Sequence, residues 1–217
     1  MNRNAVLAAA FSMVTAPSAA LAQSRPGPSV VGEIDYARIT EDDGYLGAGI
    51  GGGGGVRFHL TDATSVGVEV SRSHHVRDLG LYAVAYDAAG RPEPFPFTVR
   101  REGNATWLLG TISHTFGSAR VRPLVWGGGG MMWHGGTSRR PLAAPQVRAG
   151  FTLQPGTLES RRGESVSAFA ADGGAGVEVW LSDRLAVVPF AGLRLANTGN
   201  FGPKYIVRGG ARVAFRL

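Results

Sequence analysis

Along residues 205–217 the side chains alternate between two kinds. Tyr205, Val207, Gly209, Ala211, Val213, Phe215 and Leu217 fall on one face, and Ile206, Arg208, Gly210, Arg212, Ala214 and Arg216 on the other. Successive residues of a strand point to opposite sides, so this segment is a strand with an apolar face and a guanidinium face. The same period of two recurs at residues 30–39, 45–60, 65–73, 105–116, 121–134, 167–181 and 185–197, which predicts eight strands. Residues 45–60 set Leu46, Ala48, Ile50, Val56, Phe58 and Leu60 against Arg57 and His59. Residues 65–73 set Val66, Val68 and Val70 against Glu69 and Ser71. In 167–181, Phe169, Ala175, Val177, Val179 and Leu181 oppose Asp172 and Glu178; in 185–197, Leu185, Val187, Pro189, Leu193 and Leu195 oppose Arg194. The pattern is weakest at 105–116, where Leu108, Ile112 and Phe116 share a face but Trp107 and Leu109 occupy the other.

Three connections, at 61–64, 117–120 and 182–184, are short and rich in Asp, Ser, Thr and Gly, the residues of tight hairpin turns. The long connections are 73–104 and 135–166, with an acidic turn at 40–44 and a short link at 198–204. Short turns at one end and long loops at the other describe an up-and-down meander. In 73–104 the runs 81–86 and 95–99 flank Asp87-Ala88-Ala89-Gly90 and read as a hairpin projecting beyond the sheet. Residues 135–166, with Pro141, Pro145, Pro155 and few large apolar residues, read as a mobile loop.

The polar faces collect Glu33, Asp35, Glu69, Asp172 and Glu178 with Arg57, Arg122, Arg194, Arg208, Arg212 and Arg216. No amphipathic helical pattern remains to cover the apolar faces, so an open sheet would leave one side exposed. A closed barrel with hydrocarbon outside and paired ions inside uses both. The expected fold is therefore an all-β, eight-stranded antiparallel up-and-down transmembrane β-barrel, its lumen closed by those eleven ions. Tyr45, Trp133 and Tyr205 near the loop-side ends and Phe58, Phe116 and Phe215 near the turn-side ends suit interfacial girdles; Trp126 and Trp180 point inward. A soluble lipocalin-type barrel would need the inverse, an apolar interior and a polar exterior. A narrow gated pore is the functional alternative to a plugged lumen.

The start of the chain changes the picture of compartment. Arg3, an apolar run over 5–14, Pro17 and Ala20-Leu21-Ala22 form a cleavable secretory signal at 1–22, leaving the barrel domain at 23–217. Its apolar core is too short for a membrane helix. The formal net charge of +6 is carried almost wholly by arginine, with Lys204 the sole lysine. Export argues against a nucleic-acid partner. The absence of cysteine excludes disulfides and thiolate metal sites. The glycines of Gly47-Ala48-Gly49-Ile50-Gly51-Gly52 match a dinucleotide-binding spacing, but that motif needs a helix after it, and here a strand continues through Val56-Arg57-Phe58-His59. Glycine instead lets a narrow barrel curve and leaves room for long side chains.

The segments GSARVRPLVWGGGG at 117–130 and AADGGAGVEVWLSDRLAVV at 170–188, with the closing strand, resemble the outer-membrane β-barrel domain of the OmpA-like superfamily. The resemblance implies an eight-stranded barrel in the outer membrane of a Gram-negative-type bacterium, inserted by the outer-membrane assembly machinery. The family's assembly signal matches Arg208, Gly210, Val213 and Phe215, although this chain adds Arg216-Leu217 after the aromatic residue. No peptidoglycan-binding domain follows, so anchoring to the cell wall is not implied. Lipid A deacylases are barrels of similar size and carry a His-x-Ser-Asn motif on the penultimate strand; here the matching region reads Arg194-Leu195-Ala196-Asn197-Thr198, without nucleophile or base. The reading is thus a non-catalytic barrel with a structural or surface-interaction role and no catalytic, cofactor or metal site. His59, His74, His75, His114 and His134 are expected at exposed rims. Membrane lipid and lipopolysaccharide are the expected partners, with Arg139, Arg140, Arg161 and Arg162 as candidate phosphate contacts.

Overall fold

The computed structural model describes residues 27–39, 47–197 and 203–217. The export segment expected at 1–22, the acidic turn at 40–44, Tyr45 and residues 198–202 lie outside the described residues.

Single hydroxyls shape two of the tight turns. Thr61 Oγ1 accepts hydrogen bonds from the backbone N–H groups of Ala63 (3.2 Å) and Thr64 (2.9 Å), and Ser182 Oγ accepts one from Leu185 at 3.1 Å. Turns of this kind reverse the chain within a few residues, so the strands they join are antiparallel neighbours. The strands are β1 Ser29–Ile39, β2 Ala48–His59, β3 Thr64–Tyr86, β4 Pro92–Thr115, β5 Val121–Pro141, the two-residue β6 Thr152–Leu153 and β7 Arg161–Arg162, then β8 Val166–Trp180, β9 Leu185–Asn197 and β10 Pro203–Arg216. The eight long strands form one closed antiparallel ring. Closure runs from Ser29 opposite Arg216 to Ile39 opposite Ile206. The all-β up-and-down barrel expected from the two-residue period is thus the observed fold.

The apolar faces turn outward. Ile34 is 62 % exposed, Ile50 66 % and Phe169 78 %, far above the value for core residues. Among the described residues, outward positions carry no Asp, Glu, Lys or Arg from the tight turns up to Arg38 on β1 and Arg72 on β3. Phe58, Phe116 and Phe215 ring the turn side of this belt, and Trp133 and Tyr205 the loop side. Such a belt between aromatic girdles is what lipid contact selects.

The structure corrects the strand ends. Residues 74–86 and 92–104, expected as loop with a separate hairpin, continue β3 and β4 without a break, from Thr64 opposite His114 to Tyr86 opposite Pro92. At 23 residues and about 3.3 Å each, β3 is roughly twice as long as a tilted membrane strand needs. The polar run Arg72-Ser73-His74-His75 ends the two-medium pattern, but pairing needs only backbone groups and a partner. The hairpin closes where Asp87 Oδ1 accepts from the N–H groups of Ala89 (2.9 Å) and Arg91 (2.8 Å), with Gly90 at φ 77°.

The hydrogen bond from Asp87 N–H to the Arg91 carbonyl fixes the alternation along this hairpin. Pro92, Pro94 and Pro96 then fall where an N–H would point away from β3, toward the open edge of β4. Proline there blocks edge pairing without breaking the hairpin.

Residues 135–166, expected as a mobile loop, are tied to this extension. β5 continues to Pro141, β6 pairs with β3 at Ala85 and Tyr86, and Phe151 packs edge-on against Phe95 at 5.6 Å. Leu153 joins Ala83, Phe97, Val99, Leu79 and Leu81 in a small apolar cluster.

Candidate functional site

Alternation on β1, β2, β3, β8, β9 and β10 directs the ionic side chains into the lumen, and closure of the ring brings them together. Glu33 on β1 is the hub. Its Oε1 accepts from Arg194 Nη2 and Arg208 Nη1, each at 3.1 Å, and its Oε2 from Arg212 Nε at 2.9 Å. Arg208 also reaches Asp172 at 2.6 Å and Asp35 at 3.3 Å. Arg212 continues to Glu69 at 3.1 Å, and Glu69 holds Arg57 at 3.1 Å. The side chains of Arg208, Arg212 and Asp172 are wholly excluded from solvent. Buried ions survive only when paired and hydrogen-bonded. Here Glu33, Asp35, Glu69 and Asp172 balance Arg57, Arg194, Arg208 and Arg212 charge for charge.

Aromatic rings complete the cage. Trp126 Nε1 donates to Asp172 at 3.1 Å, and the Arg212 guanidinium lies 4.5 Å from the Trp126 ring centre and 5.0 Å from that of Phe190. Rings stabilise cations through their quadrupole where water is absent. The indole fits because Gly174 and Gly192 lie beneath it: a Cβ at Gly174 would stand 2.5 Å from Trp126 Cη2.

Two ends of the lumen differ from the centre. On the turn side Arg122 pairs with Glu178, which also accepts from Trp180 Nε1 at 2.9 Å. Arg216 does not join a carboxylate among the described residues; it stacks on Trp180 at 4.5 Å. On the loop side the lumen is apolar: Ala37, Ala105, Trp107, Leu109, Met132, Ala168, Ala170, Ala196 and Ile206 pack into one buried cluster. The expectation of a lumen closed by ion pairs misses this plug. Its signal is the pair Trp107 and Leu109 on the wrong face of β4, together with Met132 and small alanines at inward positions.

The histidines are not uniformly exposed. His74 faces outward and hydrogen-bonds with Asn104 at 3.0 Å, whereas His75 is fully buried between Ser73 Oγ (2.9 Å) and the Gly47 carbonyl (3.2 Å). No group of three or more His, Asp or Glu suited to a metal occurs among the described residues.

Of the residues resembling an assembly signal, Arg208 and Gly210 point inward and Val213 and Phe215 lie in the outward belt. A Cβ at Gly210 would press to 3.0 Å on the Asp35 Cβ, so that position is also fixed by lumen packing. The loop-side arginines do not form one patch. Arg139 and Arg140 are neighbours on β5 and face opposite ways, and Arg140 pairs outward with Glu102 at 3.3 Å. The backbones of Arg161 and Arg162 pair with Arg139 and Ser138. Nearby, Asp78 accepts two bonds from Arg100 (2.7 and 2.8 Å), which hold its carboxyl below the usual range.

No family model matches the chain, and no curated protein does. The OmpA-like likeness of the two hairpins therefore rests on those residues alone. Among solved structures, the chain is similar to Neisserial surface protein A, at 12% identity over 88% of this chain and 97% of that one, with a TM-score of 0.47. It is also similar to Ail, the attachment invasion locus protein of Yersinia pestis, at 13% identity over 88% and 99%, TM-score 0.48. A third is the N-terminal β-barrel domain of Pseudomonas aeruginosa OprF, at 17% identity over 86% and 97%, TM-score 0.40. Likeness at this level is one of fold and carries nothing on ligand or activity.

Proposed function

We propose that this chain is an integral outer-membrane barrel that does not conduct and does not catalyse, and that serves as a rigid scaffold for its loop-side sheet. The observation that carries the reading is the doubly sealed lumen: a charge-balanced, fully buried ionic layer beneath an apolar plug of Trp107, Leu109 and Met132. An ion crossing it would have to separate Arg208 from Asp172 and then enter hydrocarbon-like packing, two barriers in series. The apolar outer belt supports lipid on the outside, and the Ala20-Leu21-Ala22 export signal together with the resemblance of Arg208, Gly210, Val213 and Phe215 to an assembly signal supports delivery by a cleaved signal peptide and insertion by the assembly machinery. The reading places the turns in the periplasm and the extended hairpin of β3 and β4 outside the cell, where lipopolysaccharide is the nearest partner.

The test is planar-bilayer recording of the refolded chain, paired with migration on a detergent gel with and without boiling. A folded barrel that shifts on boiling and gives no current steps is expected. Steady open conductance would refute the sealed lumen, and a water-soluble monomer without detergent would refute membrane insertion.

A further inference from the structure

The hairpin that β3 and β4 carry beyond the barrel has two edges, and the chain treats them differently. The N–H of Asp87 donates to the Arg91 carbonyl, and that of Leu142 to the Thr98 carbonyl. In an antiparallel ladder the direction of the backbone groups alternates along each strand. Odd-numbered residues of both strands therefore bond across the hairpin, and even-numbered ones point to its edges. On β4 the edge positions from Thr98 to the tip are 96, 94 and 92, and all three are proline. On β3 the corresponding edge carries Asp78, Gly80 and Tyr82, each with an N–H to donate.

Both ends of the β3 edge are covered, and its middle is open. On the barrel side the β2 ladder reaches His75 opposite Gly49, and a Cβ at Gly47 would stand 2.6 Å from the Val76 carbonyl oxygen. On the tip side β6 pairs with Ala85 and Tyr86, and Gln154 donates to the Val84 carbonyl at 3.1 Å before Pro155 ends the run. Among the described residues no strand pairs with this side of 77–83, a stretch of roughly 23 Å. Asp78, Gly80 and Tyr82 are exposed there, and a Cβ built on Gly80 meets no atom within 4 Å. Leu79 and Leu81 face the other way, half-buried against the apolar cluster of Ala83, Phe97 and Val99. An unpaired edge is a template for another strand, and proline is one of the devices that blunt it. A hairpin that had only to stay unpaired would need both edges blocked, and this one blocks a single edge.

We propose that the β3 edge over residues 77–83 docks an extended segment of another protein, which adds a strand to the hairpin. The guest continues along β3 the ladder that β6 begins at Tyr86 and leaves at Gln154. Its backbone exchanges hydrogen bonds with Asp78, Gly80 and Tyr82. Its inward side chains extend the surface of Leu79 and Leu81, so the segment that fits has apolar residues at alternate positions. A large side chain opposite Gly80 fills the space that the glycine leaves. A second copy of the chain is a poor guest. Two copies related by an axis along the membrane normal carry β3 upward with tilts of about 35–45° in opposite senses, so their edges cross instead of pairing. Only that exclusion depends on membrane insertion; the edge is the same in any medium.

The test uses the full chain refolded in detergent and, as guest, a capped seven-residue peptide that alternates valine with threonine and lysine. Amide hydrogen exchange followed by NMR should find Asp78, Gly80 and Tyr82 fast and Leu79, Leu81 and Ala83 slow, and the peptide should slow the first set about tenfold or more. A counterpart peptide with serine in place of valine should bind about tenfold more weakly. G80P removes the edge N–H as the β4 prolines do, leaves the bonds to β4 in place, and should weaken the valine peptide about tenfold. G80A keeps the N–H and should bind as the native chain does. Four results overturn the proposal: no slowing by the peptide, equal binding by G80P and the native chain, equal binding of the valine and serine peptides, or slow exchange of Asp78, Gly80 and Tyr82 before any peptide is added, because the chain then covers its own edge. A dimer that G80P abolishes also overturns it, since the guest is then a second copy. If G80P frees Leu79 and Leu81 to exchange, the hairpin itself has opened and the exchange pattern of the native chain decides alone. A native chain whose migration does not change on boiling counts against membrane insertion and leaves these readouts intact.

Discussion

Glu33→Gln is the sharpest perturbation of the lumen, because it keeps volume and an acceptor oxygen while removing one charge. Glu33 holds three guanidiniums at 2.9 to 3.1 Å, and its side chain is only 4 % exposed. At an effective dielectric of 20, each contact is worth about 5 kcal/mol of gross attraction. Most of that offsets the desolvation of the ions, so the net loss is far smaller than the sum. Removing one partner of a buried pair costs about 3–5 kcal/mol, and here it leaves one uncompensated cation among Arg194, Arg208 and Arg212. Urea unfolding of the refolded protein in lipid vesicles, followed by tryptophan fluorescence and gel migration, should show the midpoint falling by roughly 1–3 M. The double variant E33Q/R212Q restores neutrality and should lose less than the sum of its single variants. A loss for E33Q below about 1 kcal/mol, the range of an exposed pair, would refute the view that this carboxylate organises the lumen.

Val68→Arg on the outward face should cost about 2–4 kcal/mol in lipid and little in a water-soluble protein; equal stability of V68R and the native chain in vesicles would remove lipid from the outside of β3. Gly174→Ala puts a methyl group against the Trp126 ring and should cost about 1–3 kcal/mol by overpacking, with a changed near-ultraviolet dichroism; an unchanged spectrum and midpoint would show that the indole has room. Trp107→Ala should cost about 3–5 kcal/mol by emptying the plug, read from the same urea curves. The Arg100 bonds lower the Asp78 carboxyl, so the pair's contribution is present above the ordinary carboxylate value and lost as pH falls through the lowered one. Hydrogen-exchange protection of residues 77–99 should therefore drop in acid, and drop less in D78N; equal acid sensitivity of the two would refute the link.

Several features of this protein are legible in the order of its residues. Valines at 66, 68 and 70, against Glu69 and Ser71, reveal a strand between two media, and the Thr61 and Ser182 turns reveal antiparallel neighbours. Other features are not. The continuity of β3 from the barrel into the hairpin is hidden because both faces are polar at Arg72-Ser73-His74-His75, so alternation lapses there although the ladder continues. The plug is hidden because Trp107, Leu108 and Leu109 are apolar on both faces, which a periodic reading registers only as noise. Nearness in sequence groups the loop-side arginines wrongly, since adjacent residues in a strand point apart.

The sequence by itself determined facing, strand number and turn placement, because these depend on the period of a pleated chain and on local turn chemistry. Only the tertiary structure decided who meets whom. Glu33 and Arg194 are 161 positions apart and come to 3.1 Å because closing the ring fixes the register of β1 against β10 and of β10 against β9. The registers of β3 against β4 and of β4 against β5 likewise align Arg77, Arg101 and Arg139, and closure sets Arg216 on Trp180. Period two says which way a side chain points, and closure alone says what stands opposite.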